Sequence, residues 1–225
     1  MKSIRSAIST LILALAAGMC IALGGTVFLR LRDAFPGGAV AGALLFAIGL
    51  LTICTRGYNL FTGKACYLLT QKEKGNYLLY LLVIWIGNLG GACLLAFVER
   101  LSGIGPGLAE TAVTMVSAKM EASLLSLFLL GLVCNLCIFI AVDGYKNNPH
   151  QLGKYLCILM GVAVFILCGT EHSVADMYYW AVSGVLTQAP AESMLRLVVI
   201  SLGNMVGGLL LPGAELLSNY IKDNE

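Results

Sequence analysis

Charge is scarce in this sequence. Charged residues make up 12% of its 225 positions and hydrophobic residues 59%. A soluble domain carries about 25% charged residues. That shortage excludes a soluble globule, which could not hide so much apolar surface. Histidine is scarcer still, at two residues, so a histidine-built metal centre is excluded. The net charge of +2 is too small and too dispersed to hold nucleic acid. Polar loops rich in cysteine, the mark of small disulfide scaffolds, are missing too. The eight cysteines all lie inside apolar runs and read as small buried hydrophobes. Cys134 and Cys137 form a C-x-x-C between LLGLV and IFIAV, with no other soft ligand nearby. No nucleophile–base pair stands out either, which argues against an intramembrane enzyme. Nothing calls for a metal or another cofactor.

Long apolar runs are present in abundance, and the mean hydropathy is +0.88. The chain reads as one all-α integral membrane domain over residues 1–225. Helices are required because lipid offers backbone N–H and C=O groups no partner. The N-terminus starts like a signal peptide, with Lys2, Arg5 and an apolar core. The run continues to about Leu29, however, roughly twenty-five residues. A signal core spans about 7–15, so this is a transmembrane helix that stays. Windows of about 20 apolar residues give six spans. The first is roughly 6–29. The second begins near 38, is interrupted at TRGYN and resumes as LFTGKACYLL. The third is roughly 77–98 and the fourth about 123–142. The fifth starts near 154, breaks at GTEHS and resumes as VADMYYWAVSGVL. The sixth is roughly 194–218. GLAETAVTMVSAKMEAS, before the fourth span, reads as a short re-entrant or tilted helix.

Lys2, Arg5, Lys72, Lys74, Lys146, Lys154 and Lys222 fall on one side; Arg30, Arg32, Arg100 and Arg196 fall on the other. The excess places both termini in the cytoplasm, with the protein in the inner (plasma) membrane. The halves, about 5–101 and 107–220, repeat one pattern: span, broken span, span. TRGYNLFTG is followed about thirty residues later by GNLGGA, and GTEHSVAD at a similar distance by GNMVGG. Three spans per half make this a 3+3 inverted repeat. Interrupted helices at matching positions point to a transport site near the midplane. The glycines let helices approach closely. Asn88 and Asn204 either hydrogen-bond the broken backbone or line a pore. Tyr178, Tyr179 and Trp180 read as an interfacial aromatic belt. N-P-A repeats of a water or ammonia pore are missing at the breaks.

LFTG after a broken second span, a lysine before the fourth, CN in the fourth, EHSVADM in the fifth and GNMVGG in the sixth resemble the formate/nitrite transporter family. The resemblance covers about residues 5–220. It implies a homopentamer of aquaporin-like six-span protomers, each with its own pore. It also implies transport of small monovalent anions (formate, nitrite or hydrosulfide) together with protons. Formate leads, because the apolar constriction set is intact. The resemblance places His172 at the pore centre with Thr62 opposite. It makes Lys119 the source of local positive potential and Asn135 a pore asparagine. Phe46, Leu50, Leu60 and Phe165 become the constrictions, and Glu171 pins backbone in the broken loop. Relatives often carry an amphipathic segment before the first span, and gating by such a segment is not expected here. Asp176 stands where asparagine is usual, and Thr170 where phenylalanine is common. Asn59 stands where an acid is frequent. Arg56, Tyr58 and Lys64 are unusual additions around the first break. The expected mechanism is physical. A bare anion entering an apolar constriction loses its hydration at large cost, whereas the neutral acid does not. A positive vestibule followed by a proton donor at His172 serves that end.

Overall fold

The computed structural model describes residues 2–224, with side chains from Ile4 onward. Lys2, counted among the orienting cations, lies outside the described side chains. Among the described residues ten α-helices follow one another: α1 (Lys2–Leu31), α2 (Gly38–Arg56), α3 (Phe61–Ala65), α4 (Lys74–Leu101), α5 (Gly105–Glu121), α6 (Leu124–Asn147), α7 (Gln151–Leu167), α8 (Ser173–Ser183), α9 (Val185–Gln188) and α10 (Pro190–Asp223). Among the described residues no β-strand occurs. Five helices, α1, α2, α4, α6 and α10, are long and apolar enough to cross a membrane. The remaining crossing, fifth in chain order, is composite: α7 supplies 17 residues and α8 another 11. α3 and a 3-10 turn at Leu68–Thr70 complete the crossing begun by α2. The segment before the fourth span is a regular 17-residue helix, α5, packed on α8.

The two halves are built alike. α1 packs against α2 and α4 as α6 packs against α7 and α10. The first half's α4 also covers α8, and the second half's α10 covers α3. Each broken helix is therefore finished by the other half. Glycine permits the central crossings: a Cβ at Gly91 would overlap the Leu15 carbonyl, and one at Gly207 the Leu132 carbonyl. Large side chains at those points would force the helices apart.

The breaks are proline-free. Each instead passes through a glycine in the left-handed region, Gly57 at φ 71° and Gly169 at φ 65°. A side chain is strained there. Two residues later the chain is bonded to the neighbouring first helix of its own half. Asn59 N–H reaches Leu13 O, and Glu171 N–H reaches Leu130 O, both at 3.3 Å. Two asparagines complete the repair. Asn88 Nδ2 donates to Ala14 O (2.8 Å) and Asn59 O (2.9 Å), and its Oδ1 accepts from Phe61 N–H (2.8 Å). Asn204 Nδ2 donates to Gly131 O (2.7 Å) and Glu171 O (2.8 Å), and its Oδ1 accepts from Ser173 N–H (2.9 Å). Both asparagines are fully buried. Of the two roles open for them, the structure selects backbone repair. Asn204, expected at the pore, has its amide hydrogens and carbonyl committed to main chain.

Either truncation orphans the two backbone groups at its break, Asn59 O and Phe61 N–H or Glu171 O and Ser173 N–H, each worth about 1–3 kcal/mol when buried and unpaired. We expect Asn88→Ala and Asn204→Ala to lower the melting temperature of detergent-purified protein by similar, large amounts. Asn76→Ala, on the exposed start of α4, should leave it unchanged. A minor effect at either buried position would show that its break is held by something else.

Candidate functional site

The second break sets a histidine at the core. His172 is the N-cap of α8, and its Nδ1 accepts from Ala175 N–H at 3.1 Å. An accepting Nδ1 puts the proton of the neutral ring on Nε2. Nε2 lies 3.0 Å from Thr62 Oγ1 on α3, so the histidine donates to the threonine. The Thr62 hydroxyl hydrogen is left to point elsewhere. Both residues are buried. Thr62 O accepts from Asn135 Nδ2 (3.1 Å) on α6, whose Oδ1 has no hydrogen-bond partner among the described residues. The Phe165 ring stacks on the imidazole with centroids 5.4 Å apart, and the Phe46 ring meets Phe165 edge-on at 6.0 Å. The structure thus brings together His172, Thr62, Asn135, Phe46 and Phe165.

Two cavities approach this point from opposite faces. One, of about 560 Å³, opens on the face carrying the termini and ends on Leu50 and Leu60. The other, of about 370 Å³, ends on Phe165 and His172. The four apolar residues singled out in the sequence are all buried; Leu50 and Leu60 end one cavity, Phe165 and His172 the other, and the buried stretch between the two ends forms a waist. Leu60 is the N-cap of α3 as His172 is of α8. The repeat thus sets a leucine and the histidine at equivalent positions.

Lys119 reaches this waist from the last turn of α5. It forms ion pairs with both Glu171 and Asp176, the latter at 2.8 Å. The three side chains are 14%, 6% and 1% exposed. Lys119 thus does not stand alone in this cavity, because two carboxylates close on it. The cavity's other cation, Arg32, is paired with Asp33 at 3.0 Å. Glu171 also departs from expectation. Its main chain, held by Leu130 and Asn204, pins the loop, whereas its carboxylate ties the loop to α5. Arg196 fixes the end of α5 by donating to Lys119 O (3.1 Å) and Ala122 O (2.6 Å).

The opposite cavity differs in charge. Lys64, Lys146 and Lys154 line it, and no acidic side chain does. Tyr58 also lines it, whereas Arg56 is exposed outside it.

One cluster was missed from sequence. Glu99 is buried on α4, accepting from Thr26 Oγ1 (2.5 Å) and Tyr178 OH (2.8 Å). Tyr178, Tyr179 and Trp180 are correspondingly interior: they are buried, and Trp180 Nε1 donates to Met120 Sδ at 3.4 Å. The expected interfacial belt is a packed core. A three-in-a-row aromatic run carries no signal of which face is wet, so only the partner Glu99 reveals it.

Removing one partner of a buried ion pair costs about 3–5 kcal/mol, because a charge is left uncompensated. We expect Lys119→Met to destabilise the protein by about that much in thermal unfolding. The charge-free triple variant Lys119→Met, Glu171→Gln, Asp176→Asn should recover most of the loss. Equal losses in both would place the effect in packing rather than charge.

Comparison with known proteins finds relatives in sequence and in fold. A family profile described as Formate/nitrite transporter matches residues 1–217. The uncharacterized transporter YwcJ of Bacillus subtilis (strain 168) is 28% identical over 191 residues, covering 80% of this chain and 73% of that protein. The formate channel FocA of Escherichia coli (strain K12) is 22% identical over 262 residues, covering 100% and 90%. Two solved structures share the fold at 24% identity. A "pentameric formate channel with formate bound" gives a TM-score of 0.80 over 96% of this chain and 98% of that one. An "FNT family ion channel" gives 0.82 over 96% and 92%.

Proposed function

From the chain's membership of the formate/nitrite transporter family, we propose that this multi-pass membrane protein is a channel for a small monovalent weak-acid anion, formate or nitrite foremost. The observation that carries the reading is the His172–Thr62 pair at 3.0 Å, buried between two cavities and flanked by Phe46, Leu50, Leu60 and Phe165. An ion stripped of water at such a waist needs hydrogen-bond donors and a route to neutrality. The Thr62 hydroxyl, backed by His172 Nε2–H, supplies the donor. Transfer of a proton as well needs the charged imidazole. That form makes Nδ1 a donor and gives up the bond from Ala175 N–H, so proton transfer loosens the first turn of α8. The positive vestibule of this scheme is the one lined by Lys64, Lys146 and Lys154, and Lys119 is the clasp that holds the broken loop to α5.

Hydrosulfide, also the base of a small weak acid, meets the same requirements. We place the protein in the inner (plasma) membrane with both termini cytoplasmic, because Lys72, Lys74, Lys146, Lys154 and Lys222 crowd the face where the chain starts and ends. We also propose a homopentamer, like the pentameric formate channel that shares its fold. Exposed apolar residues such as Leu79, Phe97, Leu125 and Leu152 supply surface for neighbours and lipid.

The test is flux into liposomes holding purified protein, with formate, nitrite and hydrosulfide compared at pH of about 5.5 and 7.5, on either side of the ordinary histidine range. One anion should move faster at the lower pH. His172→Phe should assemble normally and slow that flux on the order of a hundredfold or more. Undiminished flux in the variant would remove the proton-donor role. Movement of water or ammonia alone would leave the fold shared and the function different.

A further inference from the structure

We propose that the cavity on the face carrying the termini is a binding site for a compact polyvalent oxyanion of the pyrophosphate kind, which lodges there without crossing. Charge is the first argument. Lys64, Lys146 and Lys154 come from α3, α6 and α7, so the fold gathers them from three helices. Among the described residues none of the three is in an ion pair, whereas both cations of the opposite cavity are. The nearby acid, Asp143 on α6, does not line the cavity; its Oδ1 accepts from Asn147 Nδ2 at 2.8 Å and from Tyr67 OH at 3.4 Å.

Placement is the second argument. Lys64 is half-buried on a helix of five residues whose other described side chains are buried or absent. The Lys146 ammonium lies 4.4 Å from the centre of the Tyr67 ring, an attraction that holds it over the cavity. Like charges gathered in a cleft with low-dielectric walls repel one another and focus their field on whatever enters.

Size is the third. The cavity measures about 560 Å³, and a water molecule takes about 30 Å³. One monovalent ion the size of a water or two would leave most of the space and two of the three cations uncompensated. An ion with three or four negative charges answers all of them together. It would stop at Leu50 and Leu60, since apolar walls offer a multiply charged ion nothing in exchange for its water. An occupant there stands in the entry path of the smaller anion, so the proposal rests on the channel reading for its consequence but not for the binding itself.

The chemistry is shared by free pyrophosphate and by phosphate headgroups of anionic lipid, and the experiment separates the two. Pyrophosphate binding to the full chain is measured by calorimetry in nanodiscs of neutral lipid, then in nanodiscs containing phosphatidylglycerol at equal ionic strength. We expect saturable, salt-sensitive binding in both. Lys64→Gln with Lys146→Gln should weaken it by about tenfold or more. Lys72→Gln, outside the cavity, should not. Unweakened binding in the double variant, equal weakening by Lys72→Gln, or no binding at all overturns the site. Binding abolished by phosphatidylglycerol assigns the lysines to headgroups and overturns the soluble ligand. Pyrophosphate on the lysine side should also slow formate flux. Absence of any formate flux would defeat the channel reading alone, because the calorimetry does not depend on transport.

Discussion

A helix interrupted inside a bilayer exposes N–H and C=O groups where no water can answer them. Everything functional in this protein depends on meeting that cost twice. The means are the same each time: a left-handed glycine turns the chain, a main-chain bond ties it to the first helix of its half, and an asparagine on the last long helix of that half joins three backbone groups. Because these partners are main-chain atoms, the repair is indifferent to the side chains carried at the break. That indifference leaves Leu60 and His172, or Asn59 and Glu171, free to differ at equivalent positions. The backbone provides the symmetry, and the side chains provide the function.

Much of this was legible in the sequence because it is written in composition and spacing. GNLGGA and GNMVGG lie at matched distances from proline-free breaks, and lipid leaves helices as the only way to span. The pairing of His172 with Thr62 came from the family resemblance, and the structure puts them in hydrogen-bonding contact. What was not legible concerns partners distant in the chain. Lys119 looked like a lone cation, since nothing local says that Glu171 and Asp176, more than fifty residues on, close around it. Tyr178 looked interfacial because its partner, Glu99, lies 79 residues away. Burial of ionisable groups is a property of pairs, and a one-dimensional reading sees only the members.

The two faces of the waist therefore carry different electrostatics on nearly identical scaffolds. On one side Arg32 and Lys119 are each neutralised by acids; on the other three lysines have no acid of their own. Such asymmetry cannot drive net transport by itself, since a passive path obeys the gradient whichever end is more attractive. It changes occupancy instead. The lysine side holds an anion at lower concentration than the opposite side does, through faster entry, slower release or both. Asp176 matters here as much as the lysines do. With one oxygen on Lys119 and the other without a partner among the described residues, it gives Lys119 a second carboxylate beside that of Glu171. A lysine seen in the sequence is thus no guide to its local field until the acids around it have been found.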